Sequence, residues 1–408
     1  MEKYPQGRPI ITSSSSQRLN VADERTSISR TRFASPSKLA TIKACPLRYL
    51  LETEANDLKR IDIHPATLLG TAVHKVAESL LGVDVSADFG YGVLVEEEFA
   101  KLAMDKSNVS PLVSWVLENF GLFGLMSKRQ IVEQSAFAKS LAERFNLGEV
   151  PSGGGRSQPI DGRIPFGTEK WLESPRLGIG GKVDLIIRES DGSIRIVDFK
   201  TGKVLDDEGK PKQAYLLQLA AYGRIVTDMQ AGVSVHLEIL GKTDCWNGLF
   251  DESMKNLIEG TLHELASDLP MNVPFEFESL ARLGSHCSLC SFRPSCAKYR
   301  KELSERMLLD DFDYAERSFD IVGFVDSIEK TGDLLSLRCK LANGNIVKIS
   351  RIPSVMLSEK HISSGQELTA FGLACLETKR PGTFPCNFFL FNEENPRNSA
   401  FQSLLEVV

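Results

Sequence analysis

The chain has 408 residues, 42% hydrophobic and 25% charged, an ordinary composition for a globular protein of two or three domains. Its formal net charge of -6 excludes a broadly basic surface for nucleic acid, so any such site must be a local groove. The sequence has no apolar run of about 18 residues, and its polar, serine-rich start lacks a signal-peptide core. We therefore expect a cytoplasmic protein without membrane association. Its eight cysteines are then metal ligands or buried thiols rather than disulfides.

Apolar periodicity predicts the elements that follow a flexible, polar arm at residues 1–30. Helices are predicted from Ser35 to Glu52, from Ala66 to Leu81 and through most of residues 96–146. Strands are predicted in GTEKWLE and in both halves of GKVDLIIRESDGSIRIVDFKTGK, residues 181–203. A helix in QAYLLQLAAYGRIV, a strand in VSVHLEIL and a helix from Met254 to Leu265 come next.

The pattern changes to short strands after Ser318, in DIVGFVDSI, LLSLRCK, NIVKIS, ELTAFGLACLE and NFFLFN. Five short strands in this stretch predict a small all-β, OB-like barrel at residues 317–408. Alternate strand positions must be apolar, so most of its phenylalanines should fill the core: Phe319, Phe324, Phe371, Phe384, Phe388, Phe389 and Phe391. One or two are candidates for a base-stacking platform. A barrel that docks a partner protein or packs on the rest of the chain is the alternative.

The hairpin at residues 181–203 carries Asp184, Asp198 and Lys200 where an inward strand face should be apolar. Its turn, Ser190 to Gly192, predicts a three-residue loop with the glycine in the left-handed region. That register sets Asp184 opposite Asp198, about 5 Å apart at Cβ, and Lys200 projects to the same side. Adjacent carboxylates repel, so Mg²⁺ or Mn²⁺ is a natural partner, beside a lysine that can hold a phosphate oxygen. A solvated hairpin face is an equal alternative on these residues alone.

Further polar residues follow a fixed order along the chain. The sequence reads G-x-x-x-H ending at His74, G-x-x-D ending at Asp184, D-x-K-T-G from Asp198, and Q-x-x-x-Y from Gln218 to Tyr222. This order resembles the successive active-site motifs of the RecB-like branch of the PD-(D/E)xK nuclease superfamily. Val183 stands where the superfamily name has proline, and this branch often lacks that proline.

The resemblance implies a metal-dependent nuclease with an α/β, restriction-endonuclease-like core and a helical insertion over residues 31–305. The implied ligands of Mg²⁺ or Mn²⁺ are His74, Asp184, Asp198 and the backbone carbonyl of Phe199. The implied catalytic lysine is Lys200, and Gln218 and Tyr222 would shape the site and contact the DNA strand. Glu169, one strand earlier, is either an additional acidic member or an exposed strand residue.

Three cysteines, Cys287, Cys290 and Cys296, follow C-x2-C-x5-C, and Cys45 lies far upstream in KACPLRYLL. Such spacing lets thiolates wrap one metal centre, with a fourth ligand from elsewhere. The layout resembles that of iron–sulfur RecB-like nucleases, including the CRISPR adaptation nucleases and AddAB helicase–nucleases. It implies a [4Fe–4S] cluster that joins the two ends of the nuclease domain. Zinc is the alternative metal, and His286 is a weaker fourth ligand than Cys45. The other cysteines are expected to be buried hydrophobes: Cys245, Cys339, Cys375 and Cys386.

Two glycine–lysine segments, HLEILGKT and RLGIGGKV, lack the residues that a phosphate loop requires, so any helicase motor must be another chain. The sequence therefore predicts a deoxyribonuclease that acts on single strands or DNA ends, in DNA repair or antiviral defence. A catalytically silent DNA-binding or scaffold subunit of a helicase–nuclease or defence complex is one alternative. A zinc-containing restriction-type subunit is another. Cleavage polarity and exo- or endonuclease action stay open.

Overall fold

The computed structural model describes residues 34–407, except for short gaps. The gaps are 55–57, 59, 81–89, 106–108, 147–163, 269–276, 310–317, 358–361 and 377–384. The arm predicted at residues 1–30 and the core position predicted for Phe384 therefore lie outside the described residues. Within the described part of the chain, no helix is both long enough and apolar enough to cross a membrane.

The helices lie close to their predicted positions. Their bounds are α1 Leu39–Ala44, α2 Pro46–Glu54, α3 Pro65–Leu80, α4 Tyr91–Met104, α5 Pro111–Phe120, α6 Lys128–Asn146, α7 Gln213–Met229, α8 Glu252–Asp268 and α9 Ala297–Leu309. The single helix predicted from Ser35 to Glu52 is wrong in one respect, because it is interrupted at Cys45. That residue is extended, with φ -155° and ψ 101°. The cause is Pro46, since a proline disfavours the helical region for the residue before it.

The first sheet has the strands β1 Gly167–Ser174, β2 Ile179–Arg188, β3 Ile194–Lys200, β4 Val235–Gly241 and β5 Cys245–Leu249, in that spatial order. Neighbours are antiparallel except β3 and β4, which are parallel and are connected through α7. A parallel pair needs such a crossover, which is why α7 packs on the sheet beside β3. The short edge strand β5 was not predicted.

The hairpin register is the predicted one. Leu185 lies opposite Val197, and the ladder ends there, one residue before Asp184 and Asp198. The Glu189 N–H donates to the Ser193 carbonyl oxygen at 2.9 Å, and Gly192 has φ 86°. The three-residue turn therefore sets the two acids on neighbouring strands at the same level.

Apolar side chains cover both faces of this sheet. One face packs against α3 to α6 through Leu185, Ile187, Val197, Phe199 and Leu240. The other face packs against α1, α7 and α8 through Ile186, Ile194, Ile196, Leu237 and Ile239. The polar residues at the end of β3 are therefore enclosed by helices on both sides of the sheet.

The second sheet contains β6 Phe319–Thr331, β7 Leu334–Leu341, β8 Ile346–Pro353, β9 Glu367–Cys375, β10 Asn387–Phe389 and β11 Leu404–Val407. The five predicted strands are present, and β11 was missed. Strand β10 is parallel to β8 and antiparallel to β9, while β6 pairs with both β7 and β9. Strands β6 to β10 thus form a closed ring of pairings. The described phenylalanines fill its core as expected, except Phe324, which is exposed.

The second sheet shares its core with the helices of the first part of the chain. One cluster of buried side chains extends from α3–α6 through α9 into β6–β9. The Trp115 ring on α5 meets the Phe391 ring edge-on, with centroids 4.8 Å apart. This continuous core ties the C-terminal strands to the helical insertion.

Candidate functional site

Two aspartates come together on neighbouring strands, Asp184 in the middle of β2 and Asp198 near the end of β3. Asp198 is buried, and Asp184 accepts a hydrogen bond from the Phe199 N–H through Oδ2 at 2.7 Å. His74 projects from α3 so that its Nδ1 lies 3.9 Å from the same Asp184 oxygen. The His74 ring also hydrogen-bonds with the backbone of Phe199. All four residues predicted as metal ligands therefore meet in one place.

Lys200 and Gln218 form a closed triangle with Asp198. The Lys200 Nζ lies 2.7 Å from Asp198 Oδ2 and donates to Gln218 Oε1 at 3.1 Å. The Gln218 Nε2 donates to Asp198 Oδ1 at 2.7 Å. Because both ends of this buried amide are engaged, Gln218 fixes the positions of the lysine and the carboxylate.

Tyr222, one helical turn after Gln218, is also buried. Its hydroxyl donates to the Lys182 carbonyl oxygen at 2.7 Å, which joins α7 to β2. Burial raises the pKa of Tyr222 well above its ordinary value, and the charges of Asp198 and Asp184 add to this effect. The phenol therefore stays protonated and forms a wall of the site.

Burial also sets the protonation of the other site residues. It raises the pKa of Asp184 and of Asp198 to about 6, against the opposing effect of the Lys200 charge. Burial lowers the pKa of His74, so its ring is neutral near pH 7 and has a lone pair for a metal. Glu78, one turn after His74, raises the pKa of Asp184 further. Glu78 was not predicted as a site residue, although its spacing of four residues from His74 is visible in the sequence.

Glu169 occupies an unusual position on β1. The β1–β2 register pairs Thr168 with Leu185 and Lys170 with Val183, so Glu169 falls at the level of Asp184 between them. Its φ of 54° lies in the left-handed region, where a non-glycine residue is strained. Its carboxylate forms an ion pair with the Lys182 ammonium. Glu169 is thus half-buried and paired, close to the acidic site.

Two glycines of the sequence motifs, Gly70 and Gly181, lie so close to neighbouring residues that a Cβ atom would not fit without a shift. A Cβ at Gly181 would lie 2.7 Å from Pro36 Cδ and 3.0 Å from the Tyr222 hydroxyl. A Cβ at Gly70 would lie 2.9 Å from Thr201 Oγ1, just beyond the end of β3. Glycine at these positions therefore lets α3 and the segment at Pro36 reach strands β2 and β3.

The site residues line a pocket of about 430 Å³. Its further lining residues, which the sequence analysis did not foresee, include Ser35, Ser37, Trp171, Thr201 and Tyr215. Ser35 precedes the short turn Pro36–Lys38, and Ser37 lies within it. Ser35 makes no side-chain capping bond, and the two hydroxyl oxygens lie 3.0 Å apart. Such residues have no local sequence signal, because only the fold brings them to the pocket.

The donor set fits a hard divalent cation. Asp198 Oδ2 is buried and accepts no aligned hydrogen bond within the described residues, although Lys200 Nζ is near it. Ligands about 2.1 Å from Mg²⁺ lie roughly 3.0 to 4.2 Å apart, and the His74–Asp184 separation of 3.9 Å falls inside this range. Among the described residues, no group of three or more His, Cys, Asp or Glu side chains, the four cysteines included, is arranged so that it could hold a metal ion.

The four predicted cysteine ligands are free thiols in one region of the structure. Burial raises the pKa of Cys287, Cys290 and Cys296, and the Cys45 charge raises each of them further. This effect requires Cys45 to lie near all three. The extended backbone at Cys45 and the short turns Ser285–Leu289 and Arg293–Ser295 present the thiols.

Cationic side chains lie near these thiols. A nearby cation acts to lower the pKa of each of the three thiols. The cation is Arg293 for Cys287, Arg48 for Cys290 and Lys298 for Cys296. These cations oppose the effect of burial, which is larger, so the pKa of each thiol stays raised. His286 bonds instead through its Nε2 to the Arg282 carbonyl oxygen at 2.9 Å.

The prediction for the remaining cysteines is partly wrong. Cys339 is buried in the second sheet and Cys375 is half-buried, whereas Cys245 and Cys386 are exposed. Cys245 begins the edge strand β5, whose residues are exposed or half-buried in alternation. An edge strand offers fewer neighbours to cover a thiol, and this edge was not predicted.

Comparison with known proteins identifies the family. Residues 34–297 match the family model of the PD-(D/E)XK nuclease superfamily, a range that includes the pocket residues and the four cysteines. The chain therefore belongs to the PD-(D/E)XK nuclease superfamily. A solved structure titled "Crystal structure of SSO0001" matches with 18% sequence identity over 56% of this chain and 95% of that chain, with a TM-score of 0.25. No curated protein matches the chain.

Proposed function

We propose that this protein is a metal-dependent DNA nuclease of the RecB-like branch, with a [4Fe–4S] cluster on Cys45, Cys287, Cys290 and Cys296. The observation that supports it best is the meeting of two acids, Asp184 and the buried Asp198, with His74 and Lys200 in one pocket. Burying two acids at one site is costly unless a cation compensates. The superfamily to which the chain belongs supports the same chemistry.

The side chains divide the work of phosphodiester hydrolysis. His74, Asp184, Asp198 and the Phe199 carbonyl would hold Mg²⁺ or Mn²⁺, which when bound acts as a Lewis acid and activates water. Lys200 is held by Asp198 and Gln218, so its ammonium is preorganised to offset charge on the reacting phosphate. Tyr222 and Gln218 keep α7 fixed against the two strands.

The cysteine centre would act as a structural clamp. Cys45 and the C-terminal trio are about 250 residues apart in sequence, and they flank the region that contains the catalytic strands. A bound cluster would close this long loop and hold both ends of the nuclease region together. The nearness of Cys45 to the other three thiols, and its packing with Cys296, support this role.

The C-terminal strands would form an OB-like barrel. The ring of pairings, with β10 parallel to β8 and antiparallel to β9, supports this assignment. The localised catalytic pocket and the net charge of -6 favour a single strand or a DNA end over a long duplex surface. DNA repair or antiviral defence, with any helicase as a separate chain, fits this substrate.

The test is cleavage of labelled single- and double-stranded DNA with Mn²⁺, by the parent protein and two variants. Asp198→Ala removes a ligand, so it should abolish cleavage and Mn²⁺ binding measured by titration calorimetry. Lys200→Ala keeps the ligands, so it should bind Mn²⁺ and cut about 100- to 1,000-fold more slowly.

The matched control is Lys210→Ala, which removes an exposed lysine that pairs with Glu208 outside the site. It should cut like the parent, and EDTA should stop both. A parent protein that binds DNA but cuts none would instead indicate a silent DNA-binding subunit. Lys200→Ala cutting at the parental rate would contradict the assigned role of the lysine.

A further inference from the structure

Of the large aromatic side chains that line the catalytic pocket, Trp171 is the most exposed to solvent. It lies on the edge strand β1, directly opposite Lys182, and is 46% exposed. It lines the same pocket as Asp184 and Lys200. A single exposed apolar residue is ordinary on a protein surface, but an exposed indole beside buried catalytic groups is not explained by packing.

The indole is held in place. Its N–H donates to Glu173 Oε2 at 2.6 Å, which fixes the ring plane on the strand. Within the described residues, no other aromatic ring and no cation packs on the ring of Trp171. Tyr215 differs, because the Lys200 and Lys212 ammonium groups lie 5.0 and 5.6 Å from its ring centroid. Trp171 therefore offers a fixed ring surface that the fold leaves available.

The charges near Trp171 select the part of a nucleotide that can lie there. Glu173 and Glu169 are on the same strand, and Lys182 is already paired with Glu169. These carboxylates repel a phosphate, whereas they tolerate a neutral base. Lys200, deeper in the pocket, is the group suited to the phosphate.

We propose that Trp171 stacks against an unpaired base next to the scissile phosphate, and that it thereby selects single-stranded DNA. In a duplex the base faces are already stacked, and extracting one costs a few kcal/mol. An unpaired base offers its face without that cost, and stacking on an aromatic ring is tolerant of base identity. The placement of the base next to a scissile phosphate rests on the proposed nuclease function. The binding test below does not, because it requires no cleavage.

The test is a double-mutant cycle between the protein and the DNA, measured as binding without cleavage. Full-length protein carrying Lys200→Ala is titrated into a labelled single-stranded oligonucleotide with Mg²⁺. The oligonucleotide carries one abasic residue, moved stepwise along the strand. One abasic position should weaken binding about 5- to 150-fold, the range expected for one lost stack. With Trp171→Ala added, that position should cause no further loss, while Trp171→Phe should keep most of the affinity.

The matched control is Leu249→Ala, since Leu249 is 52% exposed on the opposite edge strand and outside the pocket. It should leave both affinity and the abasic profile unchanged. With an intact Lys200, Trp171→Ala should raise KM for single strands and leave kcat little changed, because the stack is present before and during reaction.

Two outcomes overturn the proposal. One is an abasic profile that is the same with Trp171 and with alanine there, and the other is unchanged affinity in Trp171→Ala. Circular dichroism of each variant shows whether it is folded. Trp171→Phe keeps an aromatic ring and so tests stacking in a variant with less change to the fold. A protein that shows the coupling but cuts no DNA would contradict the nuclease assignment and leave the stacking role intact.

Discussion

A buried ion pair between the cysteine segment and the second sheet allows a quantitative prediction. The Asp320 carboxylate accepts from Arg293 Nε at 2.5 Å and Nη2 at 3.2 Å, from the Tyr299 hydroxyl at 2.8 Å and from the Gly372 N–H at 2.7 Å. Both charged side chains are 5% exposed. Arg293 also donates to the Cys290 carbonyl oxygen at 3.0 Å, so the pair joins a proposed cluster ligand to β6.

The perturbation is Asp320→Asn, which keeps the shape of the side chain and removes its charge. The guanidinium of Arg293 is then buried without a counter-charge, because the surrounding core excludes water. Removing one partner of a buried pair costs about 3–5 kcal/mol of the free energy of unfolding. The amide oxygen of asparagine can still accept from Tyr299 or Gly372, so the loss should not exceed this range.

The assay is urea unfolding followed by circular dichroism, with two further variants. Adding Arg293→Met to Asp320→Asn removes the unpaired charge, so the double variant should be more stable than Asp320→Asn alone. The control is Lys301→Ala, which breaks an exposed pair with Glu305, with side chains 80% and 55% exposed. It should cost less than about 1 kcal/mol.

Two results would refute this reasoning. A loss in Asp320→Asn as small as that in Lys301→Ala would mean that the guanidinium reaches water. A double variant less stable than Asp320→Asn would mean that packing, not the uncompensated charge, dominates. Either result would remove the ion pair as the main link between the cysteine segment and the second sheet.

Three further predictions address the glycine contact, the cluster and the shared core. Gly181→Ala places a Cβ 2.7 Å from Pro36 Cδ, so it should lower the free energy of unfolding in urea by about 1–3 kcal/mol. Gly192→Asn, at the left-handed turn position, should lower it less, because asparagine tolerates that conformation. Cys290→Ser should lower the iron content and visible absorbance of purified protein, while Cys245→Ser should not; full iron in Cys290→Ser would contradict the cluster. Deleting residues 318–408 removes part of a continuous core, so the truncated protein should aggregate or bind a hydrophobic dye, and a soluble, cooperatively unfolding product would show that the nuclease region folds alone.

The sequence by itself determined the local features of the site. The turn at Ser190 to Gly192 fixes the hairpin register, because loop length and the two-residue strand period leave one pairing. Helical periodicity placed α3 and α7, and with them the positions of His74 and Gln218. These features depend on neighbouring residues, whose geometry is set by backbone sterics and spacing.

Other local features were missed where the sequence signal is weak. The edge strands β5 and β11 have four or five residues each, too few for a clear alternation. Without β5, the exposure of Cys245 could not be foreseen. The break at Cys45 was readable from Pro46, since the effect of proline on the preceding residue is local.

The tertiary structure alone decided which distant residues meet. Gln218 bridges Asp198 and Lys200, Trp171 lines the same pocket as Asp184, and the pair of Arg293 and Asp320 joins the cysteine segment to β6. Contacts between residues so far apart in sequence depend on how whole elements pack, and packing is a collective result of buried area and polar satisfaction. A pattern read along the chain contains the residues of such contacts but not their partners.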